Sequence, residues 1–195
     1  MQLNPTPAGN GGMHAANRKF LAYWEGLREA GQPPCRNCVN LRQIAGIIPW
    51  IVILERSPIP GAFHNRLAGT GITALWGADM TGRDIREPAG SFERDLFAQL
   101  FNSALEQGEP FVAQLRIQPR KGTALHAEML GLPFLTETGE PQLWLSVMAE
   151  ARMVHAEPIR ALQIRATRLL AGETGQRMGT GLTRRLKVIA GGIAD

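Results

Sequence analysis

Residues Arg66 to Ile85 read RLAGTGITALWGADMTGRDI, and the reading of this stretch decides the fold. A short strand runs into a glycine turn at Gly69, then a helix of barely two turns. A second glycine turn at Gly77 follows, with an aspartate-containing bend up to Gly82. Taken alone, Gly69-Thr-Gly71-Ile-Thr-Ala74 spells G-x-G-x-x-A after a strand, the fingerprint of a dinucleotide-binding turn. That architecture needs the glycine turn to open a long helix, and a parallel strand ending in an acid roughly 20 residues on. Here Gly77 stops the helix within two turns, and Glu87-Pro-Ala-Gly90 is a turn where the strand end should fall. The dinucleotide reading fails on context. What remains is a sheet folded around a cluster of short helices.

Upstream, His14 to Ala30 reads as a helix. Ala16, Phe20, Trp24 and Leu27 share one face at three- and four-residue spacing, and Gly31 with Pro33-Pro34 ends it. A short helix is expected over Leu41 to Ile47, and after Pro49 the β-branched run Trp50 to Leu54 reads as a buried strand. Ser57 to Gly61 is a turn rich in proline, and Ala62 to Ala68 closes a hairpin.

Downstream, Ser91 to Gln107 is a second long helix, with Ser91 as its expected N-cap and Gly108 as its stop. Three strands follow at Phe111 to Gln118, Ala124 to Phe134 and Gln142 to Ala151. Their connections are too short for parallel crossovers. The fold class is therefore α+β, with a five-stranded antiparallel sheet, short helices on one face and an N-terminal flanking helix. From Ala156 a tail starts as a helix, with Ile159, Leu162, Ala166 and Leu169 on one side. Glycines at 172, 175, 179, 181, 191 and 192 weigh against regular structure beyond Leu170. The expected organisation is a flexible N-terminus over 1–13, a flanking helix over 14–32, the domain over 40–155 and a basic, partly helical tail over 156–195.

Composition agrees with a globular chain: 44% of its 195 residues are hydrophobic and 19% charged. The best apolar run, Ile44 to Leu54, is about half the ~20 residues a membrane helix needs. The first dozen residues have neither the basic start nor the apolar core of a signal peptide, so a cytoplasmic protein is expected. The net charge of +4 is unevenly placed. Arg152, Arg160, Arg165, Arg168, Arg177, Arg184, Arg185 and Lys187 face only Glu157, Glu173 and Asp195, which makes the tail +5 and the rest −1. Such a tail can bind nucleic-acid phosphates or an anionic membrane. A solvated terminal helix is the plainer reading.

This order of elements resembles that of a PAS domain. The chain is similar to the alphaproteobacterial-type PAS family in which the domain stands almost alone in a short protein. The resemblance rests on Tyr23-Trp-Glu-Gly-Leu-Arg28, on Ile47-Ile-Pro-Trp-Ile-Val-Ile-Leu-Glu55, on the Arg66–Ile85 stretch, and on Leu132-Pro-Phe134 with Gly139. It spans roughly residues 17 to 150. The family usually has an aromatic near Asn65 and a basic residue near Ala78, and this chain has neither. The resemblance implies a bacterial sensory or regulatory module, working as a homodimer through a small-molecule ligand or protein contacts. No kinase, cyclase or helix-turn-helix pattern accompanies it, so output is expected to pass in trans to an unidentified downstream protein or to act through the basic tail. A ligand-free interaction module is the alternative.

The expected pocket lies between the inner face of the sheet and the short helices. Strand alternation puts Phe63, Asn65 and Leu67 on it, with Leu143 and Leu145, and Ile72, Leu75, Trp76, Phe97 and Phe101 close it. Core packing explains the same list. Gly69, Gly77 and Gly82 are read as turn-makers, Asp79 as the holder of the bend through backbone amides, and Arg66 as a staple to Asp79 or Asp84. Phe20, Trp24 and Leu27, left exposed beyond the sheet, would form the dimer surface.

Little else carries chemistry. Cys35-Arg-Asn-Cys38 is half a zinc site and a candidate redox pair, with two ordinary cysteines as the plainest reading. CRNCVNLRQ resembles the flavin signature GRNCRFLQ of light-oxygen-voltage domains. There the cysteine follows the second strand, whereas here it precedes the first, so flavin is not expected. Haem-binding PAS domains usually present a histidine from the longer helix, and Ser91 to Gln107 has none, so haem is not expected either. His64 and His126 lie on different strands and could meet across the sheet. No catalytic triad or paired carboxylate stands out, and an enzyme is not expected.

Overall fold

The computed structural model describes residues 12–59, 61–149 and 158–170. The chain opens with α1 (Ala15–Leu27), which His14 caps by accepting the Ala16 N–H at Nδ1. Two single-turn 3₁₀ segments, Arg36–Cys38 and Ile48–Trp50, flank residues 41–47. These form consecutive turns rather than the expected helix. A strand hairpin follows, β1 (Ile51–Arg56) and β2 (Phe63–Ala68), then α2 (Thr70–Trp76) and α3 (Ser91–Gln107). Gly90, not Ser91, caps α3. The chain then builds β3 (Phe111–Pro119), β4 (Leu125–Leu135), β5 (Pro141–Ala149) and β6 (Ile159–Leu169).

The sheet has six strands, not five, in the order β2-β1-β5-β4-β3-β6, and every pair is antiparallel. The sixth strand corrects the helix expected at the start of the tail. β6 lies along β3 from Phe111↔Leu169 to Pro119↔Ile159, with register shifts beside Leu115 and Pro119. Those two irregularities explain the misreading. Each inserts an extra residue and breaks the period of two. The core-facing residues Ile159, Leu162, Ile164 and Leu169 therefore fall at spacings that include three and five, close to a helical pattern.

Both faces of the sheet are covered. The inner face packs Phe111, Ala113, Leu115, Leu143, Leu145 and Val147 against α2 and α3. On the outer face Phe20 and Trp24 of α1 pack on Ile51, Leu130, Leu132, Phe134 and Trp144. β4 is consequently buried on both faces at its centre, which is why it reads as an unbroken apolar run rather than an alternating one. Gly131 sits there because a Cβ at that position would come within 2.1 Å of the Phe111 ring.

Candidate functional site

Nine of the ten residues expected around the interior are buried between the sheet and α2–α3. Phe63, Phe97, Phe101 and Phe111 make an aromatic chain, with Phe63 edge-on to Phe101 at 5.4 Å and Phe101 stacked near Phe111 at 6.0 Å. Leu67 is the exception, 44% exposed. The β1–β2 register shifts between Ile53 and Leu54, so Leu67 pairs with Ile53 and takes the opposite parity from Asn65.

Asn65 is fully buried and joins β2 to the bend after α2. Its N–H donates to Arg83 O at 2.8 Å, its carbonyl accepts from Gly82 N at 2.7 Å, and Nδ2 donates to Met80 O at 2.8 Å. Because Met80 O can only accept, that last bond fixes the amide orientation. The remaining atom, Oδ1, is buried without a protein partner, and so is Trp76 Nε1 at the end of α2. An unpaired buried group costs about 1–3 kcal/mol. The interior thus holds one free acceptor and one free donor within an otherwise apolar cluster.

The motif residues divide by role. Gly77 and Gly82 adopt left-handed backbone, at φ 68° and 77°, where only glycine is unstrained. Gly69 does not: its φ is −67°, and it is glycine because a Cβ there would lie 2.4 Å from Pro49 O. The expected turn dihedral is thus replaced by close backbone approach. Asp79 Oδ1 accepts the Thr81 N–H at 2.9 Å, and this bond, with the Thr81 side chain second, holds its carboxyl below the usual range. Arg66 does not reach Asp79 or Asp84. It pairs with Glu55 across the hairpin at 3.0 Å, because Arg66 and Glu55 lie on the outer face. Asp84 instead holds Arg86, a nearly buried guanidinium that also donates to Gly61 O and lies over the Phe63 ring.

Glu55 is a hub that sequence reading missed. It accepts from Arg66 and from Gln142 Nε2 at 2.8 Å, with His64 at 3.5 Å. Burial pushes its carboxyl up, but the Arg66 bond and charge, Gln142 and His64 together outweigh that and leave it below its ordinary value. A surface cleft of about 490 Å³ opens beside it, lined by Arg36, Arg56, Arg66, Glu137 and Glu140 among others. A second missed cluster ties α1 to the sheet. Glu128 accepts from His14 N, Asn17 Nδ2 and Gln114 Nε2 at 2.9–3.1 Å, and Ser146 donates to Asn17 Oδ1 at 2.7 Å. An acid in the middle of an apolar strand was the available signal.

The exposed apolar stripe expected on α1 is corrected here. Phe20 and Trp24 are buried against the sheet, Trp24 Nε1 donates to Pro133 O at 2.7 Å, and Leu27 is half-buried. Two rings enclosed within the chain cannot form a surface for a second copy. Cys35 is half-buried and Cys38 exposed, both as free thiols. His64 and His126 do not meet, since β1 and β5 lie between their strands. Among the described residues no group of three or more histidines, cysteines or acids could hold a metal ion. No helix among them is long and apolar enough to cross a membrane.

An antiparallel sheet in the order β2-β1-β5-β4-β3, with short helices over one face, defines a PAS-like α+β domain. A family model described as PAS domain matches residues 13–149, so the chain belongs to the PAS domain family. PAS domains are generally sensory rather than catalytic. The match takes in α1 and stops before β6. No curated protein matches the chain. Among solved structures it is similar to an RNA-binding light-oxygen-voltage receptor, at 18% identity and TM-score 0.40, over 63% of this chain and 37% of that one. It is also similar to the Vibrio cholera VqmA–ligand–DNA complex, at 18% identity and TM-score 0.38, over 77% and 65%. The chain therefore spans less than two thirds of either.

Proposed function

We propose that this chain is a cytoplasmic PAS-type sensory module that takes up a small polar molecule between the sheet and α2–α3, and signals in trans as a homodimer. The observation that carries the ligand is the pair of unmatched buried groups, Asn65 Oδ1 and Trp76 Nε1. A donor to Asn65 Oδ1 and an acceptor for Trp76 Nε1 would each recover what the group loses when buried. Surrounding aromatics supply apolar contact, and the few polar atoms fix orientation. The dimer surface lies elsewhere than Phe20 and Trp24. Native mass spectrometry of the chain as purified is expected to show a retained small molecule. Trp76→Phe, which keeps the aromatic bulk and removes the donor, should weaken its retention about tenfold. Equal retention by the variant, or a bare chain throughout, would contradict the reading.

A second reading has its own observation. Arg116, Arg120, Lys121, Arg160, Arg165 and Arg168 lie on β3, the following turn and β6, and none forms an ion pair among the described residues. On this reading the basic edge contacts phosphate of nucleic acid or an anionic membrane. Binding to a single-stranded oligonucleotide or to anionic vesicles should then fall steeply between low and physiological salt. Salt-independent or absent binding to both would remove it.

A further inference from the structure

We propose that Cys35 and Cys38 form a reversible redox site, closing to a disulfide within their own turn by exchange with a low-molecular-weight disulfide. The turn is already shut: the Cys38 N–H donates to Cys35 O at 3.0 Å. The ends of such a turn lie within about 7 Å Cα to Cα, and disulfides bridge Cα atoms roughly 4.4–6.8 Å apart. The turn is also anchored from outside. Cys35 bridges Leu135 in parallel, Leu135 N donates to Pro34 O at 2.9 Å, and Arg36 pairs with Glu137 at 3.4 Å. The backbone that carries both thiols is therefore held in a closed turn. No cluster of metal ligands surrounds it among the described residues, and the chain has only these two cysteines, so neither thiol has another intramolecular partner.

Access sets the order of events. Cys38 is exposed and Cys35 half-buried, its Sγ 4.0 Å from Thr136 O. The Cys38 thiolate attacks one sulfur of the small disulfide, and the first small thiolate leaves and takes up a proton. The Cys35 thiolate then attacks Cys38 Sγ, which breaks the mixed disulfide and releases the second small thiol. Two protein thiols are oxidised, and one small disulfide is reduced to two thiols. Arg36 lies between the two cysteines in sequence and lines the cleft beside Glu55, so closure fixes the turn that presents its guanidinium to that cleft.

The full chain, equilibrated in oxidised and reduced glutathione and alkylated before intact-mass measurement, tests this. The expected product is a monomer lighter by two hydrogens, with Cys35 and Cys38 in one cross-linked peptide, restored by dithiothreitol. Because the fold holds the turn, half-oxidation should need about tenfold less oxidised glutathione than in the same chain unfolded in urea. In single variants, C35S should gain a glutathione adduct at Cys38 at least about tenfold faster than C38S gains one at Cys35. A persistent adduct on the native chain, a disulfide-linked pair of chains, equal midpoints folded and unfolded, or equal rates in the two variants would overturn the proposal.

Discussion

Glu55 shows how one side chain joins two parts of the fold. Its carboxylate receives Arg66 from β2 and Gln142 from the start of β5, so it pins both neighbours of β1. Because its folded pKa lies below the ordinary 4.5, its contribution is complete well above that value. It is lost as pH falls through the lower folded value. Thermal melts from pH 7 downward should therefore show stability decreasing once pH drops below about 4.5 in the native chain. In Glu55→Gln the acid-dependent fall should be smaller, with lower stability already at pH 7. An unchanged acid slope would separate Glu55 from the effect. None of this was legible beforehand, because a bulge decides which side of β2 Arg66 occupies. The bulge leaves no residue-type signature here, whereas Gly77 and Gly82 declare their left-handed turns by composition alone.

Elements were legible where one periodicity ran uninterrupted and illegible where a tertiary neighbour altered it. α1, α3 and the β3–β4–β5 meander follow directly from spacing and turn residues. What α1 packs against could not be read from its own stripe, since burial on the outer face and burial in a dimer demand the same Phe20–Trp24 pattern. β6 was hidden by its two register shifts. Its Leu162 is buried against the inner core opposite Ile117, in a strand that a helical reading would leave on the surface. Leu162→Ala should thus cost about 2–5 kcal/mol in urea unfolding, and Trp24→Ala about 3–5 kcal/mol. A loss below 1 kcal/mol at Leu162 would mean that β6 is not part of the folded sheet.

At the scale of the whole molecule, the sheet divides two cores of different character. The outer core couples α1 to β4 and β5 through Trp24 and the Glu128 cluster, and it is closed by hydrogen bonds at every polar group named there. The inner core holds unmatched Asn65 Oδ1 and Trp76 Nε1, whereas the other two unmatched buried atoms among the described residues, Arg28 Nε and Glu109 Oε2, belong to an ion pair beside Trp24. The ligand we propose belongs on the α2–α3 side, where those two atoms are enclosed by apolar side chains. Apolar patterning found which residues are buried in the interior but not whether they enclose a ligand, because a pocket wall and a filled core use the same side chains. Asn65 on an apolar strand face was the one residue that hinted at it. The most direct measurement is a high-resolution crystal structure of the chain as purified, examined around Asn65 Oδ1 and Trp76 Nε1. A bound organic molecule is expected there, with polar atoms at about 2.7–3.2 Å from these two groups. Protein groups closing on both atoms, or water alone beside them, would contradict it.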